Sequence, residues 1–564
     1  MKRVVSVFLV FAMFCALLSG CSFGKKATAN TGDANQSTND TSLDDNQDIQ
    51  GTLEEENNFN TTDAEMNKPP EGAKLKEVMR VATTHDPEIV DPQMNTDNER
   101  VQRCVYSALL VKNSAGELEP DLATSWEQSE DGTVWTFHLR EDVTWHNGDP
   151  FTAEDVKATF DRVTNPDAPK THTAKMSFIK ETRVIDDYTV EIETDGVFAP
   201  FLDTLTGYYA MILNKDYIEK YGDDLGKTVE SVCGTGPFVL TDRTWGEEVV
   251  LTANEDYYKG APYIKELRFV VIPEATARTI ALENGEVDMI TNPNASDIPL
   301  MKENENLVVN YSKAGSQFFF IYNCSESSIL QDARLRQAIN YCVDRQAIID
   351  ALLVDVGATN PHSILDNATG AIDLGIIEQD YDKARELMAE AGYPDGFDVE
   401  LFASETYMKN TAQAEMIKAM CAEVGININI TVGDNATFGT LFSGLTADQM
   451  EYDMFCMGMA SESGDLDELR GLYTTSDDGR NDENYGLYSN AEADELMAKQ
   501  AQTIDPDERQ EMLNRIQEIL YLEDPIGLLI YSGMNTHVFN KNVQNFSTNH
   551  RGIVYYEYMW ILDE

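Results

Sequence analysis

Seven histidines, at positions 85, 138, 146, 172, 362, 537 and 550, are the side chains that could ligate a metal or move a proton near neutral pH. None sits in an HExxH pattern or at another metal-ligand spacing. Gly315-Ser316 lacks the rest of a G-x-S-x-G elbow, so no activated serine is indicated. Paired carboxylates abound, but against 98 Asp plus Glu their pairing carries no information about general acid–base work. Beyond Cys15 and Cys21 there are cysteines at 104, 233, 324, 342, 421 and 456, and no two form a CxxC pair. Cys342 and Cys421 lie within helical patterns where a small apolar residue would fit, which reads as buried free thiol. The expectation is a binding protein rather than an enzyme, with no metal and no cofactor.

The charge balance narrows the partners. With 42 Lys plus Arg, the formal net charge is −56 and the pI is near 4.3. Nucleic-acid binding needs a basic footprint and is not expected. Docking on anionic lipid through a basic patch is disfavoured on the same ground. Lys2 and Arg3 followed by the apolar run Val4–Leu18 read as a secretory signal. Leu18-Ser19-Gly20-Cys21 resembles the lipobox of bacterial lipoproteins, which implies cleavage after residue 20 and lipidation at Cys21. Residues 21–75 are rich in Asn, Thr, Asp and Glu and poor in large apolar groups, the composition of a tether. No later stretch has 18 consecutive apolar residues.

The elements behind this tether alternate between strand and helix patterns. Val78–Thr83 reads as an opening strand, and 98–112 as a helix with Val101, Val105, Ala108 and Leu109 in phase. Asp131-Gly132 ahead of the alternation of Val134, Trp135, Thr136, Phe137 and Leu139 is a strand–turn–strand signal. Thr152 and Asp155 form a capping-box pattern opening a helix to Val163. Phe397–Ser404, a helix over 411–425, and Ile426–Val432 with strict alternation read as a βαβ unit. Gly234, Gly236 and Pro237 read as a turn between strands.

The stretch PDLATSWEQSEDGTVWTFHLREDVTWHNGDPFTAEDVKATFDRV (120–163) resembles the signature region of the family 5 extracellular solute-binding proteins. The resemblance continues in Cys233–Phe238 (CGTGPF), Asn254–Gly260 (NEDYYKG), Leu282–Asp288 (LENGEVD), Arg334–Arg345 (RLRQAINYCVDR) and Asp382–Pro394. It implies an α/β fold of two lobes, of the type II, large peptide-binding class, with an extra subdomain in lobe I and a ligand cleft between the lobes. The implied boundaries are 76–309 for lobe I, 310–535 for lobe II and 536–564 for a return to lobe I. The implied role is capture of peptides, chiefly oligopeptides, for an ABC importer, by a monomer held at the outer face of the bacterial cell membrane through Cys21. Nickel chelates, oligosaccharides and a peptide-signal receptor role are the alternatives within the same family.

The resemblance also implies a site. Relatives place an acid that pairs with the peptide ammonium in a segment like G-W-x-x-D-x-x-D/E-P. Here the matching stretch is Met457–Asp467 (MGMASESGDLD), with Glu462 at the acid and Met459 at the Trp. Asp465 serves if the register shifts. Dipeptide-binding relatives place an Arg after the strand matching Val399–Ala403; here 404–409 holds only Lys409 as a cation, which favours a longer peptide held along its backbone. Tyr407, Trp245 and Asn323 complete the expected lining.

Overall fold

The structure is a computed structural model. It describes residues 68–563 apart from 87–88, 95–98, 168–169, 354–357, 405–409, 435–436, 438–440, 442, 477–478 and 481–483. The signal segment, residues 21–67 of the expected tether with Cys21, and Tyr407 lie outside the described residues; the end of the expected tether instead joins the body, Leu75 bridging to Leu562. Among the described residues no helix is long and apolar enough to cross a membrane.

A ten-stranded mixed sheet runs through the protein. Two long antiparallel strands, Leu307–Tyr322 and Gly527–Asn540, lie side by side in its middle. On one side, Met454–Ala460 pairs antiparallel with Leu307–Tyr322, and Phe397–Ser404 and Ile426–Gly433 follow in parallel. On the other side come Met289–Thr291, Val78–Thr83, Glu266–Val271, Glu248–Ala253 and Phe238–Thr244. The ladder between the long strands is interrupted between Lys313 and Gln317. A separate antiparallel sheet of four strands, Ala123–Gln128, Val134–Leu139, Thr189–Thr194 and Ile179–Asp186, carries the helix Ala153–Val163.

The apolar residues divide into cores that follow this layout. The largest gathers Met79, Val81, Leu109, Phe137, Phe201, Phe238 and Phe269 with Val554 and Tyr556 near the C-terminus. Phe318, Phe320 and Tyr322 face a second core, while Phe319 and Ile321 face a third across the same strand. That half of the sheet is covered on both faces, which is why the strand reads as a continuous apolar run instead of alternating.

Local signals translate directly. Thr152 N–H donates to Asp155 Oδ2 at 3.0 Å, and the reciprocal capping bond is also present. Ile426–Gly433 alternates buried and exposed in its first half and pairs in parallel with Phe397–Ser404. Asp332 and Asp344 cap the helices Ala333–Cys342 and Arg345–Leu352 through their side chains.

The helix predicted over 98–112 is shorter. It spans Glu99–Val105, and Leu110–Lys112 forms a strand with Leu118–Pro120. Two tertiary contacts end it. Gly236 N–H donates to the Val105 carbonyl at 2.8 Å, and Ala108 N–H donates to Asp121 Oδ2 at 3.2 Å. Gly234 and Gly236 therefore serve close approach more than turn geometry: a Cβ on Gly234 would sit 1.8 Å from Val105 O.

The six cysteines from 104 to 456 are free thiols, with Cys324 half-buried and the others buried. Burial raises the thiols of Cys233 and Cys324 to about 11, far from reactive thiolate.

Candidate functional site

The strand Met454–Ala460 ends beside Ser316, where the long-strand ladder is interrupted. The loop that leaves it, 461–465, is tied down residue by residue. Ser461 Oγ accepts Gly464 N–H at 2.8 Å and donates to Glu468 Oε2 at 2.7 Å. The same Glu468 oxygen accepts Ser463 N–H and Ser463 Oγ–H, each at 2.8 Å. Gly464 has φ of +70°, and a Cβ there would lie 2.7 Å from His550 Nε2 and 3.0 Å from Lys112 Nζ. Only glycine lets the loop adopt that conformation and come so close.

Asp465 anchors the far end of the loop. Its two oxygens accept Arg509 Nη2 at 2.7 Å and Nη1 at 2.9 Å. Oδ1 also accepts Asp467 N–H at 2.7 Å, capping the turn Leu466–Leu469. Asp465 is 1 % exposed, so its carboxylate is engaged inside the protein.

Glu462 points the other way, toward residues distant in sequence. It is ion-paired with Lys175, and Tyr208 O–H donates to its Oε1 at 3.1 Å. Lys175 also pairs with Glu468 at 2.9 Å and lies 5.3 Å from the centroid of the Tyr209 ring. Behind Glu462, Arg551 Nη1 donates to its backbone carbonyl at 3.4 Å and to Glu99 at 2.6 Å. Glu99 accepts Arg103 as well, at 2.6 Å. A second set of contacts closes the loop's other flank. Lys112 Nζ donates to Gly464 O at 2.7 Å and pairs with Asp203 at 2.5 Å. Thr206 Oγ–H donates to Ser463 O at 3.2 Å.

Electrostatics follow from burial and these partners. Burial alone would raise the Glu468 carboxyl, but Lys175 and the Ser461 and Ser463 donors outweigh it and hold the group at about 2. Burial, then repulsion from Lys175, lowers His172 to about 4. Burial and Glu462 push the Tyr208 hydroxyl up, so it remains a donor. Both His172 and Glu468 are depressed. Their stabilisation is present above their ordinary values of 6.5 and 4.5 and is lost as pH falls through about 4 and about 2. Urea unfolding midpoints should therefore drop in two stages, the first between pH 6.5 and 4, where His146 adds to it. Glu468→Gln should shrink the second stage, to which Glu99, held down by Arg551 and Arg103, also contributes. A midpoint that stays flat from pH 7 to 4 contradicts the assignment.

Of the other residues expected at the site, the described ones, Met459, Asn323 and Trp245, are not brought to this cluster. Met459 is buried in the strand, its sulfur accepting Tyr473 O–H at 2.7 Å. Asn323 is buried at the other end of the strand pair, bonded to Tyr452 O and Ser325. Six residues of strand separate the Tyr322–Met454 pair from the Ser316–Ala460 pair, about 20 Å. Trp245 lies in the hairpin at the opposite edge of the sheet, 59 % exposed, with the Arg243 guanidinium 3.5 Å from its ring. Lys175, Tyr208, Lys112, Asp203, Glu468 and Arg551 went unnoticed in the sequence, because no local spacing connects positions 112, 175 and 208 with 462 and 551. Among the described residues no group of three or more His, Cys, Asp and Glu could hold a metal ion.

The sequence profile described as bacterial extracellular solute-binding proteins, family 5 Middle, matches residues 117–481. The chain belongs to that family. This solute-binding protein is similar to heme-binding protein A of Haemophilus influenzae, 29 % identical over 75 % of this chain and 80 % of the relative. It is 28 % identical to the dipeptide-binding protein of Escherichia coli K12, over 79 % of this chain and 88 % of the relative. Its fold superposes on the periplasmic binding protein DppA of Helicobacter pylori, in complex with the peptide STSA, with a TM-score of 0.71 and 25 % identity, covering 86 % of this chain and 99 % of that one. The fold is thus the mixed α/β periplasmic-binding-protein fold, and the protein is a non-enzymatic solute-binding component of an ABC importer.

Proposed function

We propose that this solute-binding protein captures peptides, with the ligand's terminal ammonium on Glu462, and delivers them to an ABC permease. The observation that carries this reading is that Glu462 already holds a primary ammonium. Lys175 Nζ sits on its carboxylate, the Tyr208 hydroxyl donates to the same group, and the Tyr209 ring lies below. That environment suits an alkylammonium, since charge-assisted hydrogen bonds are the stronger class. A peptide amine would take the place of Lys175. Pairing of Met454–Ala460 with Phe397–Ser404 ends at Phe455, and the strand edge past that point is where main-chain recognition, which tolerates many side chains, would take place.

In this reading the body divides near 309/310 and 535/536, along the two long strands, and the lobes move about the interrupted ladder at 313–317. Asp465 then serves as the anchor of the binding loop. Cys21 is the lipid attachment point, and the protein works as a monomer.

The test is calorimetry with a set of di- to octapeptides, each with a free or an acetylated N-terminus. Free-amine peptides are expected to bind and acetylated ones to lose at least tenfold. Equal affinity would remove the amine from the site. Failure of every peptide, with binding of heme, a nickel chelate or an oligosaccharide instead, would replace the ligand class.

A further inference from the structure

A cavity of about 250 Å³ lies among residues that make none of the Glu462 contacts. That volume is on the order of eight waters, or a molecule of roughly ten heavy atoms. Tyr257, Tyr555 and Tyr558 are among the residues that line it. Three cations reach it, and each is already matched by an acid. Arg103 pairs with Glu99 at 2.6 Å, Arg140 grips Asp142 at 2.8 and 2.9 Å, and Lys259 pairs with Asp121 at 2.8 Å. Of the acids in the wall, Asp121 is thus taken and also accepts Tyr258 O–H at 2.5 Å. Glu119 accepts Asn113 Nδ2–H at 2.9 Å. The carboxyl of Glu557 is left: among the described residues no side chain hydrogen-bonds or ion-pairs with it.

We propose that this cavity is a binding site for a small organic cation, an amine of no more than about ten heavy atoms, with Glu557 as its counter-ion and the tyrosine rings as its walls. Aromatic faces attract ammonium groups when water is excluded, and quaternary amines are recognised in this way elsewhere. The site is distinct from that of the peptide amine and does not depend on the peptide reading. Burial pushes the Glu557 carboxyl up to about 7, against the weaker attraction of Lys259 and Arg103. Arg103, Lys259, Asp121, Glu119 and Arg140 are the other charged groups in the wall. A cationic guest would be held more tightly above pH 7 than below, because Glu557 is then ionised.

The experiment is calorimetry at pH 8 with choline and with its uncharged isostere, 3,3-dimethylbutan-1-ol. Choline is expected to bind and the alcohol to bind at least tenfold more weakly. Glu557→Gln, checked for native melting, should lose choline at least tenfold, whereas Glu462→Gln should retain it. Equal binding of the two probes, no choline binding at 10 mM, an unchanged Glu557→Gln protein, or loss in Glu462→Gln would each overturn the proposal. The wild-type comparison of charged and neutral probes stands even if Glu557→Gln does not fold.

Discussion

Replacing Arg509 with alanine is expected to lower folding stability by about 3–5 kcal/mol, the range for removing one partner of a buried ion pair. Both oxygens of Asp465 depend on this guanidinium, and the pair is almost fully buried, at 9 % and 1 % side-chain exposure. Two more acids make the loss worse. Asp467 and Asp203 lie within the field of the same arginine, and burial already raises both carboxyls. Without Arg509, three carboxylates would share a site whose remaining ion-pair partners, among the described residues, are Lys112 and Arg470. The measurement is urea unfolding near pH 7.5, with peptide affinity of the folded protein recorded alongside. A change below about 1 kcal/mol would mean that water, not Arg509, satisfies Asp465. A selective loss of affinity at full stability would move Asp465 into the ligand site.

Glu462→Gln should weaken binding of free-amine peptides by about 1.5–3 kcal/mol, the value of a hydrogen bond to a charged group. This corresponds to roughly ten- to a hundredfold in Kd. Acetylated peptides should be indifferent to the change, because they have no ammonium to lose. The reciprocal substitution has the opposite sign. Lys175→Met leaves Glu462 without its internal cation, so a peptide amine no longer has to displace one, and affinity should rise. Binding that weakens in Lys175→Met would mean that Lys175 contacts the ligand itself. Glu468 is the reason the loop should survive that substitution: Ser461 and Ser463 still donate to it.

The parts of this protein that were legible in its sequence are those set by neighbours in the chain. The Thr152–Asp155 capping box, the Gly132 turn and the parallel unit of Phe397–Ser404 and Ile426–Gly433 each follow from residues a few positions apart. Glu462 was singled out from the sequence because the motif that suggests it is contiguous. Where a local pattern met a distant contact, the contact won. The helix expected to reach Lys112 stops at Val105 because the Gly236 amide, 131 positions away, takes its last carbonyl bond. Trp245 and Asn323 look like cleft residues by type, yet the order of strands in the sheet places them at its far edge and at the far end of a strand.

The sequence by itself determined the class of fold, the family and the one loop that carries a chargeable group in a recognisable setting. Only the tertiary structure decided what that group meets. Glu462 and Lys175 stand 287 positions apart, Glu462 and Tyr208 254, and Glu99 and Arg551 452. Coulomb attraction and hydrogen bonding act over a few ångströms of space, whereas sequence spacing reports only on neighbours along the chain. For the same reason only the folded chain places Glu557 with Asp121, Lys259 and Arg103 around one cavity.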